Sequence, residues 1–177
     1  MAYEEKTVSK NYIYKGKIIS LRVDDIELTN GEKSKREFVE HNGAACVLYE
    51  ENGSFAFVKQ YRYAYGETVL EIPAGKIEKG EYPKFSAQRE LEEETGIKCE
   101  NLQHIFTLYP TPGYTNEKIY IYLAQNGKHA SAHLDQGEFL DVVWIGKDEV
   151  KAMLTRGEIH DGKTIIALQH YFLNEGK

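Results

Sequence analysis

Short runs rich in β-branched and aromatic residues, separated by turn residues, fill the first part of the chain and predict strands. The runs are Ile18–Leu28, Ser34–His41, Ala44–Tyr49, Phe55–Tyr61 and Val69–Ile72. Three Asn-Gly pairs, Asn30-Gly31, Asn42-Gly43 and Asn52-Gly53, lie between such runs and predict tight hairpins. The period then changes. Pro83 to Thr95 reads as a helix, with Pro83 in the first turn, where no amide donor is needed, and Gly96 at the exit. Strand patterns resume at Glu100–Leu108, Lys118–Ala124 and Val142–Ile145. Asp148 is positioned to cap a short helix to Arg156, and a last helix over Lys163–Asn174 carries Ile165, Leu168 and Phe172 on one face. The order of elements predicts a mixed or mostly antiparallel sheet with helices laid over it, an α+β sandwich.

A chain of 177 residues with 41% hydrophobic and 28% charged residues can bury a core without staples. No apolar stretch reaches the ~18 residues of a membrane span, and the first residues lack the apolar segment of a signal peptide. Cys46 and Cys99 both stand in apolar settings and are expected to be reduced core thiols, which points to the cytoplasm. The net charge of -6, with no basic run longer than two, argues against a nucleic-acid partner. It leaves room for a small anionic substrate if a metal and a few arginines converge on it.

Glu90, Glu92, Glu93 and Glu94 crowd the last turns of the first predicted helix. Glu90 and Glu94 repel at i,i+4, and all four face the negative end of the helix dipole. One reading is a solvated acidic face. The other is a cation site, since Mg²⁺ and Mn²⁺ take hard oxygen ligands and Ala87 and Leu91 leave the acidic face free.

The spacing around these acids favours the second reading. From Gly75, five residues lead to Glu81 and seven more to Arg89-Glu90-Leu91-Glu92-Glu93-Glu94-Thr95-Gly96-Ile97. This satisfies all nine defined positions of G-x5-E-x7-R-E-U-x-E-E-x-G-U, where U is aliphatic, within 23 residues. The segment resembles the Nudix box, and the resemblance implies an α/β/α sandwich and a metal-dependent pyrophosphatase. It also implies that Glu90, Glu94, Glu93 and the carbonyl of Ala74 bind Mg²⁺ or Mn²⁺. Arg89 would orient the glutamates, and Glu81 and Gly96 would be structural.

The flanks, Arg36–Leu48, Val58–Arg62, Leu70–Glu78 and Tyr109–Ala124, resemble the ADP-ribose pyrophosphatase branch of that family, whose relatives include enzymes cutting GDP-mannose. By that resemblance Arg62 holds the diphosphate, Arg36 reaches a neighbouring subunit's site, and Gly113 stands in the substrate-contacting loop Pro112–Glu117. Glu71 is either a ribose-binding group or a buried strand-end contact. Glu138, in Leu134–Val142, matches the residue that orients or deprotonates the attacking water, with Asp135 or a box glutamate as the alternative. Gln136-Gly137 stand where relatives often carry acids. The implied substrate is ADP-ribose, with GDP-mannose or another nucleotide sugar or dinucleotide as the alternative, and a non-catalytic nucleotide sensor as a third reading. The implied organisation is residues 1–41 as strands exchanged in a homodimer, followed by a Nudix domain over 42–177.

Overall fold

The computed structural model describes residues 3–175. They form two compact units. One comprises the residues up to Gly43 together with Tyr109–Lys118; the other comprises Ala44–Leu108 and the chain from Ile119 on.

The first unit is a three-stranded antiparallel sheet of β1 (Lys6–Lys15), β2 (Ile19–Glu27) and β3 (Lys33–His41), in that order. The β1 strand, which begins twelve residues before the first run read from the pattern (Ile18), is almost wholly exposed, so no polar-apolar alternation marks it. On β2, Arg22, Asp24 and Ile26 are buried on one face, and Arg22 pairs with both Asp24 and Glu40. Tyr109–Lys118 joins this unit through β3: the Val39 N–H donates to the Tyr114 carbonyl at 2.7 Å.

The second unit is built on a seven-stranded mixed sheet. Its central path runs β12 (Leu140–Gly146), β5 (Ser54–Arg62), β4 (Ala44–Glu51), β10 (Ile119–Gln125), β9 (Leu102–Leu108). Only β4 and β10 are parallel. Asn52 and Gly53 both take positive φ, 51° and 79°, as the hairpin between β4 and β5 requires. Asn42-Gly43 does not form a hairpin: β3 and β4 belong to different sheets, and Gly43, at φ 92°, turns the chain from one to the other.

The β4–β5 hairpin then opens. Tyr49 pairs with Ala56, but further along β5 pairs with β6 (Glu67–Glu71), while the start of β4 pairs with β7 (Ala74–Lys76). The connection between β6 and β7, Ile72-Pro73, is drawn into this split, where the Val47 N–H donates to the Pro73 carbonyl at 3.0 Å.

Both faces of β4 are covered, which is why its sequence reads as a continuous apolar run. Ala45, Val47 and Tyr49 pack against Ala87 and Leu91 of α1 (Pro83–Thr95). Cys46 and Leu48 lie in a second cluster with Val150 of α2 (Lys147–Arg156) and Ala167 and Leu168 of α3 (Gly162–Asn174). The unit is therefore a helix–sheet–helix sandwich. Ile165 and Phe172 pack beside Leu168, as the spacing predicts, and both cysteines are free and buried.

Asp148 is not the cap of α2. The β12 strand runs straight into the helix, Gly146 is the N-cap without a side-chain bond, and Asp148 and Glu149 occupy the first turn, where carboxylates favour the dipole. The two-residue strands β8 (Ile97–Lys98) and β11 (Lys128–His129) pair with each other and are too short to show a period. No helix among the described residues is long and apolar enough to cross a membrane.

Candidate active site

The loop between β6 and β7 meets the C-terminal half of α1. Here the Ala74 N–H donates to Glu94 Oε2 at 3.0 Å. A side chain at Gly75 would overlap the Glu90 carboxyl group, so the glycine leaves the room in which that carboxyl group lies against the strand. Arg89 ties the acidic turns to the loop. Its Nε and Nη2 grip the two oxygens of Glu81 at 3.1 Å each, and Nη1 donates to Glu90 Oε1 at 2.7 Å and Glu93 Oε2 at 2.9 Å. The guanidinium thus offsets three carboxylates that would otherwise repel one another.

Glu94 is not on a solvated face: only 2% of it is exposed. Burial pushes its carboxyl up to about 8; the Ala74 amide and Lys163 oppose the shift, while the charges of Glu90 and Glu138 add to it. Glu90 is raised too, by burial first, against the pull of Arg89 and with contributions from Glu93 and Glu138. Three carboxylates from two segments, Glu90 and Glu94 on α1 and Glu138 before β12, therefore sense one another. The ionised carboxylates of Glu90 and Glu94 accept bonds only, so a hard cation beside them would remove a burial penalty that protonation otherwise relieves.

Among the described residues no group of three His, Cys, Asp or Glu side chains is arranged to hold a metal ion by itself. Mg²⁺ is usually held by one or two carboxylates, with waters and substrate phosphates completing the shell, so the donor set suits a cation that arrives with its substrate. Ala74, Glu90, Glu93 and Glu94 are the groups available to hold it.

Beside this group lies a second one. Arg62, at the end of β5, forms a two-point pair with Glu71 of β6, Nε to Oε1 at 2.5 Å and Nη2 to Oε2 at 2.8 Å. Lys163 Nζ also donates to Glu71 Oε2, and to Asp161 Oδ1 at 3.0 Å. Glu71 is 3% exposed, with both oxygens engaged by Arg62 and Lys163. Arg62, Tyr65, Glu71, His160, Asp161 and Gly162 line a pocket of about 200 Å³.

Glu138 stands in a turn in which its N–H donates to the Asp135 carbonyl at 3.0 Å and Gly137 takes φ 86°. Glu138 Oε1 accepts from Gln60 Nε2 at 3.4 Å. The Asp135 residue is exposed, and its backbone carbonyl is the part that shapes the turn. The chain leading to this turn is fastened to the end of α1: Ala130 N–H donates to the Gly96 carbonyl at 2.6 Å and His133 N–H to the Glu93 carbonyl at 2.9 Å. Gly96, at φ 71°, leaves no room for a side chain against Ala130.

Arg36 and Gly113 both belong to the N-terminal unit. Arg36 is ion-paired with Glu5 there, and Gly113 lies in the turn after Thr111. Sequence reasoning missed Gln60, Asp161, Lys163 and Thr164. A readable signal existed for one of them: Asp161, three residues before Thr164, is a helix cap by spacing.

Residues 39–168 match the family model described as NUDIX domain. The chain belongs to the Nudix family. Residues 5–39 match the family model described as nucleoside diphosphate sugar hydrolase N-terminal domain. It is 42% identical to the ADP-ribose pyrophosphatase of Bacillus subtilis (strain 168), covering 97% of this chain and 95% of that one. The identity is also 42% to the methanol dehydrogenase activator of Bacillus methanolicus, over 98% of this chain and 95% of the relative. The GDP-mannose pyrophosphatase of Enterobacter sp. (strain 638) is 31% identical, covering 94% and 92%. A solved structure titled as that of an ADP compounds hydrolase superposes with a TM-score of 0.84 over 99% of this chain and 98% of its own, at 20% identity, a likeness of fold.

Proposed function

We propose that this Nudix enzyme hydrolyses the diphosphate of ADP-ribose to AMP and ribose 5-phosphate, with Mg²⁺ as its cation and Mn²⁺ as a substitute. The observation that carries the reading is the buried carboxyl of Glu94 beside Glu90, with the charge of Glu138 acting on both and an arginine suited to phosphate oxygens alongside. Ala74 through its carbonyl, Glu90, Glu93 and Glu94 would hold the metal. When bound, the cation neutralises charge on the diphosphate and acidifies a water.

The chain's own groups do the rest. Glu138 Oε2, the oxygen that Gln60 leaves open, accepts the proton of the attacking water. The water oxygen joins one phosphorus, the bridging P–O bond breaks, and the bridging oxygen leaves on the other phosphate. Arg62 offers Nη1 to the diphosphate, since Nε and Nη2 are committed to Glu71. Arg89 keeps Glu90 and Glu93 aimed and makes no substrate contact.

ADP-ribose is favoured over GDP-mannose by the flanking segments and by the higher identity to relatives named for it. A sensor that only binds nucleotide has no use for so many carboxylates able to hold a metal. The test is a panel of ADP-ribose, GDP-mannose, NADH, diadenosine polyphosphates and nucleoside triphosphates with Mg²⁺. ADP-ribose is expected to give the highest kcat/KM; a wide margin for GDP-mannose overturns the substrate and leaves the metal site standing.

The same reading includes a homodimer that exchanges its N-terminal strands, residues 1–41, around a catalytic domain of residues 42–177, with Arg36 and Gly113 contributing to substrate binding. Support comes from Val8, Tyr12, Ile13 and Tyr14, exposed on β1 as an apolar surface of the kind a partner covers. The cytoplasm is the proposed compartment, supported by the two unbridged thiols.

A further inference from the structure

We infer that Lys163 is a positioning residue for substrate binding: by sharing Glu71 with Arg62, it leaves the Arg62 guanidinium charge available to a diphosphate. The inference rests on the assignment of Arg62 to the diphosphate.

Lys163 is only 9% exposed, and burying an ammonium is costly unless every charge is met. Its first turn of α3 does not need it for attachment. Asp161 caps the helix through the Thr164 N–H at 3.0 Å, and the Thr164 hydroxyl accepts from the Ile72 N–H at 2.9 Å, which fastens the helix to the end of β6. Neither bond involves the Lys163 side chain, so both would survive an apolar side chain at position 163. What Lys163 adds is a charge on Glu71.

That charge matters because of where Glu71 sits. Its two oxygens meet Arg62 Nε and Nη2 and Lys163 Nζ, and the two cations together outweigh burial and hold its carboxyl below the usual range. With Arg62 alone, Glu71 would form a closed neutral pair, and the field of the guanidinium at an incoming anion would be largely cancelled. With Lys163 sharing the carboxylate, the group formed by Arg62, Glu71 and Lys163 carries a net positive charge. Asp161, which accepts from Lys163 Nζ at 3.0 Å, caps α3 and lines the same pocket, brings the four groups to zero, so that without Lys163 they would carry a net negative charge beside Arg62. Arg62 Nη1 has no protein partner among the described residues, and Arg62 lines the 200 Å³ pocket. The uncommitted donor of the group is thus on Arg62, on which the charge of Glu94 also acts.

The test is calorimetric titration of inorganic pyrophosphate and of ADP-ribose in EDTA, where nothing turns over, together with steady-state kinetics in Mg²⁺. Lys163→Met is expected to bind pyrophosphate about tenfold more weakly, a loss of about 1.4 kcal/mol, and to raise KM more than it lowers kcat. Lys163→Arg should retain most of the affinity. Because Lys163 acts through Glu71, Glu71→Gln and Glu71→Gln/Lys163→Met should bind pyrophosphate equally. That comparison leaves no unpaired buried carboxylate and serves if Lys163→Met alone does not fold. Unchanged affinity in Lys163→Met, or a further loss on adding it to Glu71→Gln, overturns the inference. If pyrophosphate binding falls as expected while the wild type prefers another substrate, only the ADP-ribose assignment fails.

Discussion

The Ala74 N–H donates to Glu94 Oε2 at 3.0 Å, joining the loop after β6 to the last turn of α1. This bond gives a buried carboxylate its one close donor among the described residues, and it brings the Ala74 backbone to the acid that most needs a counterion. Glu94 is thus held in place before any cation arrives, at the cost of a carboxyl driven up to about 8.

A stability test follows from that shift. The Glu94 carboxyl is raised from 4.5 to about 8 on folding, so between these values the folded chain binds more protons than the unfolded one. Its contribution is fully present below the unfolded value and is lost as pH rises through the folded value. Urea unfolding in EDTA should show wild type losing stability relative to Glu94→Gln as pH rises from about 5 to about 8. Saturating Mg²⁺ should flatten the difference, and its binding should release protons, read as a buffer-dependent enthalpy. Parallel profiles for the two proteins would remove Glu94 as the strained acid.

Glu90→Gln and Glu93→Gln are expected to fold and to lose about 10²–10⁴ in kcat, the scale of removing a metal or acid–base role. Activity of the wild type should vanish in EDTA and return with Mg²⁺ or Mn²⁺. A folded Glu90→Gln enzyme with full turnover would sink the site, as would tight binding of one Zn²⁺ with no need for Mg²⁺.

Gly75→Ala addresses the approach of strand and helix. The new methyl group must displace the Glu90 carboxyl group. Its expected effect is a fall in kcat on the order of 10², because small misplacements at a reacting centre are costly, with far-UV circular dichroism unchanged. Wild-type kinetics in this variant would mean that Glu90 does not need its observed position.

For the dimer, light scattering at micromolar protein should report twice the chain mass, with an interface above the ~2,000 Å² at which obligate contacts begin. Arg36→Ala should raise KM for ADP-ribose more than it lowers kcat, since the contact is made in ground and transition states alike. A fully active monomer would return Arg36 to its pairing with Glu5 as a surface charge.

By itself the sequence determined the local and the chemical. The Pro83–Thr95 helix was readable from Pro83, Gly96 and its buried Ala87 and Leu91, because capping and helical period are properties of neighbours in the chain. The family was readable because nine positions are spaced within one segment. What tertiary structure decided depends on residues far apart in sequence. The polar-apolar pattern cannot say that the β4–β5 hairpin opens to admit the Ile72-Pro73 connection, or that Asn42-Gly43 links two sheets instead of closing a hairpin. Nor can it say that Glu94, on an acidic stripe that reads as solvated, is buried against Ala74, or that Lys163 meets Glu71 across 92 residues of chain. A charge is placed inside a fold by the partner that offsets it, and that partner is chosen by how the sheet and helices pack.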